Sequence, residues 1–184
     1  PHPIEVNPTS YGQIKGRHIL VVDDNPTNRD LFCAYLEKWG CISKSVSNGN
    51  DALAELNSAA NLGRPYEAAL IDFMMPGIGG DQLGLRIKEN PKIRQTVLIM
   101  LTSRGMRGDA KRMKEIGFAG YLTKPIKRQY LMQCLQKVLL TKSDNDQIDS
   151  TNRHLITRHS IKEETRSKAR MLIVEDNPVN QKVA

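Results

Sequence analysis

Three carboxylates, one hydroxyl and one ammonium stand where short apolar runs of this sequence stop. Asp23 and Asp24 follow Ile19-Leu20-Val21-Val22, and Asp72 follows Ala68-Ala69-Leu70-Ile71. Thr102 follows Val97 to Leu101, and Lys124 lies just beyond Ala119 to Leu122. Apolar runs of this length read as strands covered on both faces. All five side chains are therefore expected at strand ends, at the sheet edge where ligands of open α/β sheets bind. Two ionised carboxylates about 4 Å apart repel by roughly 4 kcal/mol at an effective dielectric of about 20. Such a cluster needs a cation or a raised pKa. An all-oxygen donor set without imidazole or thiolate favours a hard ion, and Mg²⁺ binds through one or two carboxylates while keeping its waters. Carboxylates, a divalent cation, an ammonium and a hydroxyl around one pocket suit phosphoryl transfer, where positioning and charge neutralisation supply most of the catalysis.

The elements that must position these groups alternate along the chain. After the strand 19–22, Asn25-Pro26 starts a helix that runs to about Trp39 with Phe32, Leu36 and Trp39 inward, and Gly40 closes it. A more polar strand, Cys41–Val46, suits a sheet edge, and Ser47-Asn48-Gly49-Asn50 turns into a second helix, Asp51–Ala60, with Ala52, Leu56 and Ala59 inward. A strand over 66–72 leads through Met75-Pro76-Gly77 to a helix from Gly80 to Glu89 carrying Leu83 and Ile87. Thr96–Leu101 is a strand, Arg107–Ile116 a helix, Ala119–Leu122 a short strand, and Ile126–Leu140 a fifth helix. Five strands alternating with five helices call for a parallel sheet with helices on both faces.

The chain has 184 residues, 39% hydrophobic and 26% charged, an ordinary composition for a soluble domain plus a remainder. Its longest apolar runs are of strand length, and no signal peptide is visible, so a cytoplasmic setting is expected, whether or not a parent chain is anchored to a membrane. Cys33, Cys41 and Cys134 lack metal or disulfide spacing and read as reduced thiols. The net charge of +7 is dispersed without aromatic interleaving, so it suits a solvated surface or an acidic protein partner, and no nucleic-acid partner is expected. Residues 1–16 read as a leader or linker, and the polar stretch 141–168 as a second linker. "MLIVEDNPVNQKVA" then repeats "ILVVDDNPTNRDLF" at an offset of 152, placing Val174 on Val22, Glu175 on Asp23, Asp176 on Asp24 and Asn180 on Asn28. Residues 169–184 thus read as the start of a second copy of the domain at 17–140.

With these residues in view, the segment 17–140 resembles the receiver domain of two-component signalling. Thr102 lies 30 residues after Asp72 (102 − 72) and Lys124 lies 52 after it (124 − 72), the spacing of that family. The resemblance implies a flavodoxin-like, doubly wound, five-stranded parallel sheet of order 2-1-3-4-5. It implies Asp72 as phosphoacceptor and Mg²⁺ ligand, Asp24 as a direct Mg²⁺ ligand, Asp23 as a ligand mostly through water, and the Met74 backbone carbonyl as a further ligand. Lys124 would contact the phosphoryl group, Thr102 would close on it, and Tyr121 would turn inward as Thr102 moves. Lys124-Pro125 is cis in similar proteins. Glu175 and Asp176 would be the acid pair of the second copy.

The flanks resemble receivers of hybrid sensor histidine kinases, which implies a fragment of such a kinase: a complete receiver, a linker and the head of another. A domain of this kind catalyses its own phosphorylation and dephosphorylation. Its partners would be a phosphohistidine-bearing kinase or phosphotransfer domain and neighbouring domains of the parent chain, read out through helix four, strand five and helix five. Arg107, Lys111, Arg112, Lys127 and Arg128 lie in that region. His159 and Lys162 superficially resemble a phosphotransfer box, but Glu163 stands where Gly is expected. The orphan strand Met171–Val174 would seek a sheet edge or a neighbouring chain, giving a dimer. The rival readings are a stand-alone response regulator, a DNA-binding regulator and a Mg²⁺-dependent aspartyl-phosphate phosphohydrolase. The last wants a second acid two residues after the nucleophile, where Met74 stands.

Overall fold

In the computed structural model, residues 14–103, 109–143 and 155–157 are described. The strands are β1 (His18–Val22), β2 (Ile42–Val46), β3 (Ala68–Asp72), β4 (Val97–Thr102), β5 (Phe118–Thr123) and β6 (Ile156–Thr157). Between the first five and after β5 run α1 (Pro26–Lys38), α2 (Gly49–Asn61), α3 (Gly80–Glu89), α4 (Asp109–Ile116) and α5 (Arg128–Ser143). The strands form one sheet of order β2-β1-β3-β4-β5-β6, and every pairing is parallel.

Strand alternation divides the apolar residues between two layers. Ile19 and Val21 point to the side of Phe32 and Leu36 from α1 and Leu131 and Leu135 from α5. Leu20 and Val22 point to the side of Ala52 and Leu56 from α2, Leu83 and Ile87 from α3, and Met113 from α4. The central strands β3 and β4 are buried along their whole length, as continuous apolar runs between helical layers must be. β2 alternates exposed and half-buried positions, in keeping with an edge.

Two parts of the sequence reading need correction. Residues 14–16 belong to the domain: Ile14 is fully buried in the α1/α5 layer, and the Gly16 amide donates to the Gly40 carbonyl at 2.8 Å. A single apolar residue inside a polar stretch has no periodicity, so its burial is invisible until its partners are known. The sheet also has six strands, because Ile156 and Thr157, inside the stretch read as a linker, pair with β5. Two residues are too short for a strand pattern, and they were placed by an edge far away in sequence. Element ends shift by one to three residues, α5 running on to Ser143. Arg107, His159, Lys162, the repeated segment with Glu175 and Asp176, and the orphan strand 171–174 lie outside the described residues.

Candidate functional site

Parallel β1, β3, β4 and β5 end together, so the residues that terminate them share one edge. Asp72 is the last residue of β3 and Asp23 follows the last residue of β1, while Thr102 closes β4 and Lys124 follows the end of β5. The first three are buried: Asp23 is 0%, Asp72 4% and Thr102 1% exposed, whereas Asp24 is exposed. One carboxylate oxygen from each of Asp23, Asp24 and Asp72 can be chosen so that all three atoms lie within 4.8 Å of one another. Lys124 reaches into the cluster, its Nζ donating to Asp23 Oδ2 at 2.8 Å and to Asp72 Oδ1 at 2.5 Å. The peptide Lys124-Pro125 is cis, and the Lys124 amide donates to the Thr102 carbonyl at 2.7 Å, tying the ends of β4 and β5.

The sequence explains this local geometry. Asn25 caps α1 by accepting from the Thr27 amide, with Pro26 in the first helical position where a missing N–H costs nothing. That turn brings the Asn25 amide to Asp23 Oδ1 at 3.0 Å and the Asn28 amide Nδ2 to both Asp23 oxygens at 3.1 Å. Arg29 Nη1 donates to the carbonyls of Asp23 and Asp24 at 2.7 and 2.9 Å. Behind Asp72, the start of α3 comes so close that a Cβ on Gly80 would sit 2.3 Å from the Asp72 carbonyl oxygen. Only glycine permits that approach. Sequence reasoning assigned no site role to Asn28, Arg29 or Gly80. The signal for Asn28 was its recurrence as Asn180 in the repeated segment.

Tyr121 is buried among the α2/α3/α4 layer, in register with Met100 of β4. The Met74 side chain is 69% exposed, while Phe73 packs partly against the same layer. Lys111, Arg112, Lys127 and Arg128 are exposed on and beside α4 and α5. Arg112 Nη2 pairs with Asp81 at 2.6 Å.

Electrostatics sharpen the picture. Burial pushes the Asp72 carboxyl above its ordinary pKa, Lys124 draws it down, and the neighbouring Asp23 and Asp24 add to the rise. For Lys124 burial opposes the charge, but its bonds to Asp23 and Asp72 outweigh this and hold its pKa above the ordinary value. One ammonium thus faces three carboxylates, a surplus of negative charge that a cation would relieve. The donors are all oxygen, and exposed Asp24 leaves one side open, which fits a hard, partly hydrated divalent ion. The cysteines take no part: burial raises Cys134 to about 12, and burial with the Glu67 charge raises Cys41 to about 11, so neither is a thiolate at neutral pH.

The chain is similar to known proteins of one family. The family described as the response regulator receiver domain matches residues 19–136. Hybrid signal transduction histidine kinase L of Dictyostelium discoideum is 32% identical over 122 residues, which cover 65% of this chain and 7% of that kinase. Protein PilH of Pseudomonas aeruginosa is 31% identical over 121 residues, covering 66% of this chain and 96% of PilH. Among solved structures, the receiver domain of a Pseudomonas aeruginosa sensor histidine kinase, PA1611, is similar at TM-score 0.58 and 31% identity, covering 67% of this chain and 98% of that one. That structure has a magnesium ion coordinated in its active-site cleft. Vibrio cholerae chemotaxis protein CheY4 is similar at TM-score 0.62 and 25% identity, covering 68% and 100%.

Proposed function

This chain belongs to the response regulator receiver domain family of two-component signalling, and on that premise we propose that it accepts a phosphoryl group from a phosphohistidine onto Asp72 and switches conformation. The observation that carries the reading is the convergence of Asp23, Asp24, Asp72 and Lys124, spread over 101 residues (124 − 23), at one sheet edge.

With Lys124 on Oδ1, the Asp72 Oδ2 atom is assigned as the nucleophile. It attacks phosphorus, the P–O bond forms as the P–N bond of the phosphoimidazole breaks, and the imidazole leaves with its remaining proton. Asp23, Asp24 and Asp72, with the Met74 carbonyl, are the residues that would hold Mg²⁺. That ion would neutralise charge on the transferring oxygens. Asn28 and the Asn25 amide keep the Asp23 carboxylate in place by direct hydrogen bonds. Once the phosphoryl is attached, Lys124 transfers one of its bonds to it, and Thr102 at the end of β4 closes on it with Tyr121 following. Such a step biases a two-state equilibrium. The donor would be a kinase or phosphotransfer domain presenting phosphohistidine. The repeat of the acid-pair motif at Glu175 and Asp176 supports a multidomain parent of the hybrid-kinase type over a stand-alone regulator, and a cytoplasmic setting follows from such a donor.

The test is mass spectrometry of the chain after acetyl phosphate and Mg²⁺. One added phosphoryl, labile to alkali and to hydroxylamine as an acyl phosphate is and mapped to Asp72, is expected. Asp72→Asn should remove at least about 95% of it while the fold survives, a loss of the kind expected when a nucleophile is deleted. Undiminished labelling in that variant would overturn the assignment.

A further inference from the structure

β5 carries Lys124 at its end and has two sides: β4 on one, and β6 on the other. In β6, Ile156 pairs with Gly120 and Thr157 with Tyr121. Alternation places Thr157 and Leu155 on the Tyr121 face and Ile156 on the α5 face. The packing agrees, for Leu155 lies against the layer that holds Tyr121 and Ile156 against the layer that holds Leu131 and Cys134. On the α5 face β5 is tight at Gly120, where a Cβ would meet Cys134 Sγ at 2.7 Å. With Leu155 packed on one layer and Ile156 on the other, the β5 edge takes an extended segment with an apolar side chain on each face, and the chain supplies one.

We propose that the β5 edge is an interaction surface for an extended apolar segment, that residues 155–157 are its built-in occupant, and that this pairing is coupled to Lys124 and the Asp72 site. Open sheet edges accept added strands, and a two-residue strand is short enough to be exchanged for a competing one. Pairing restrains β5, and β5 positions the ammonium that holds Asp72 and Asp23. A phosphoryl group held by Lys124 anchors β5 from its other end. By reciprocity, whatever the phosphoryl does to the strand, the strand does to the phosphoryl. The coupling rests on Asp72 as the acceptor; the occupancy of the edge does not.

Hydrogen exchange on the full 184-residue chain tests the two parts separately. In the unmodified protein, peptides covering 118–123 and 155–157 are expected to exchange roughly tenfold slower than in Ile156→Pro, which removes a backbone donor, or Ile156→Asp, which removes the apolar contact. Equal exchange in all three overturns the occupancy, as does protection that vanishes on dilution, which would place the strand on a second copy. After acetyl phosphate and Mg²⁺, molecules carrying the added mass should exchange at 155–157 at least about threefold slower still. Labelled molecules with unchanged exchange overturn the coupling. Failure of any mass to appear condemns the Asp72 reading instead, while the first comparison still decides the strand.

Discussion

Lys124 is the residue on which the charge balance at the sheet edge turns. Its Nζ touches Asp23 and Asp72 together, and Asp23 has no solvent to fall back on. Lys124→Ala leaves two buried carboxylates without that partner, so the metal-free protein should lose roughly 2–4 kcal/mol, less than for a fully dry pair because the lysine keeps 17% of its side-chain exposure. Urea unfolding should show the loss, and millimolar Mg²⁺ should restore most of it. Asp72 makes the complementary prediction. Its folded pKa is raised, chiefly by burial, so the folded state holds the proton at pH values where the unfolded chain has released it. Stability from this group is present below the unfolded carboxylate pKa and is lost as pH rises through the folded value. With a chelator present, the melting temperature of the native protein should fall relative to that of Asp72→Asn across that window, a difference readable by calorimetry.

At the scale of elements, the site depends on how near α3 and the α1 turn come to the strand ends. Gly80→Ala drives a methyl into the Asp72 carbonyl, with the Phe73 Cα 3.0 Å away, so backbone must move. The expected cost is about 1–3 kcal/mol, the range of overpacking. Because the strain falls on the Asp72 backbone, affinity for Mg²⁺, read by isothermal titration, should weaken with it. The α2 start carries an independent control: Asn48 accepts from the Asp51 amide at 2.9 Å, and Asn48→Ala should cost about 1 kcal/mol as a lost cap. Its Mg²⁺ affinity should stay as it was, since α2 supplies no group to the carboxylate cluster.

For the whole molecule, one sheet sandwiched between two apolar layers leaves the ligand edge as the place where buried charge accumulates. A cation that binds only the folded protein must therefore stabilise all of it. Unfolding in Mg²⁺ should rise by about 2.7 kcal/mol at roughly a hundred times Kd and then logarithmically. Asp24→Ala should flatten that titration. No helix among the described residues is long and apolar enough to cross a membrane.

Much of this was written in local order. The apolar runs 19–22, 68–71 and 97–101 are strands because no other short element buries two faces, and Asn25-Pro26, Gly40 and Asn48 punctuate the chain between them as their backbone chemistry requires. The spacing of Asp72, Thr102 and Lys124 placed the candidate site, since parallel strands joined by helices must all end on the same side. Tertiary structure alone decided what depends on partners far away in sequence. Ile14 is buried because Gly16 and Cys41 bond that segment to the start of β2 and seat it in the α1/α5 layer, Asn28 joins the site because one helical turn brings it to Asp23, and Ile156–Thr157 is a strand only because β5 has an edge to offer. A single apolar residue, an amide on a polar turn and a two-residue strand carry no period, so their roles come into being when distant surfaces meet.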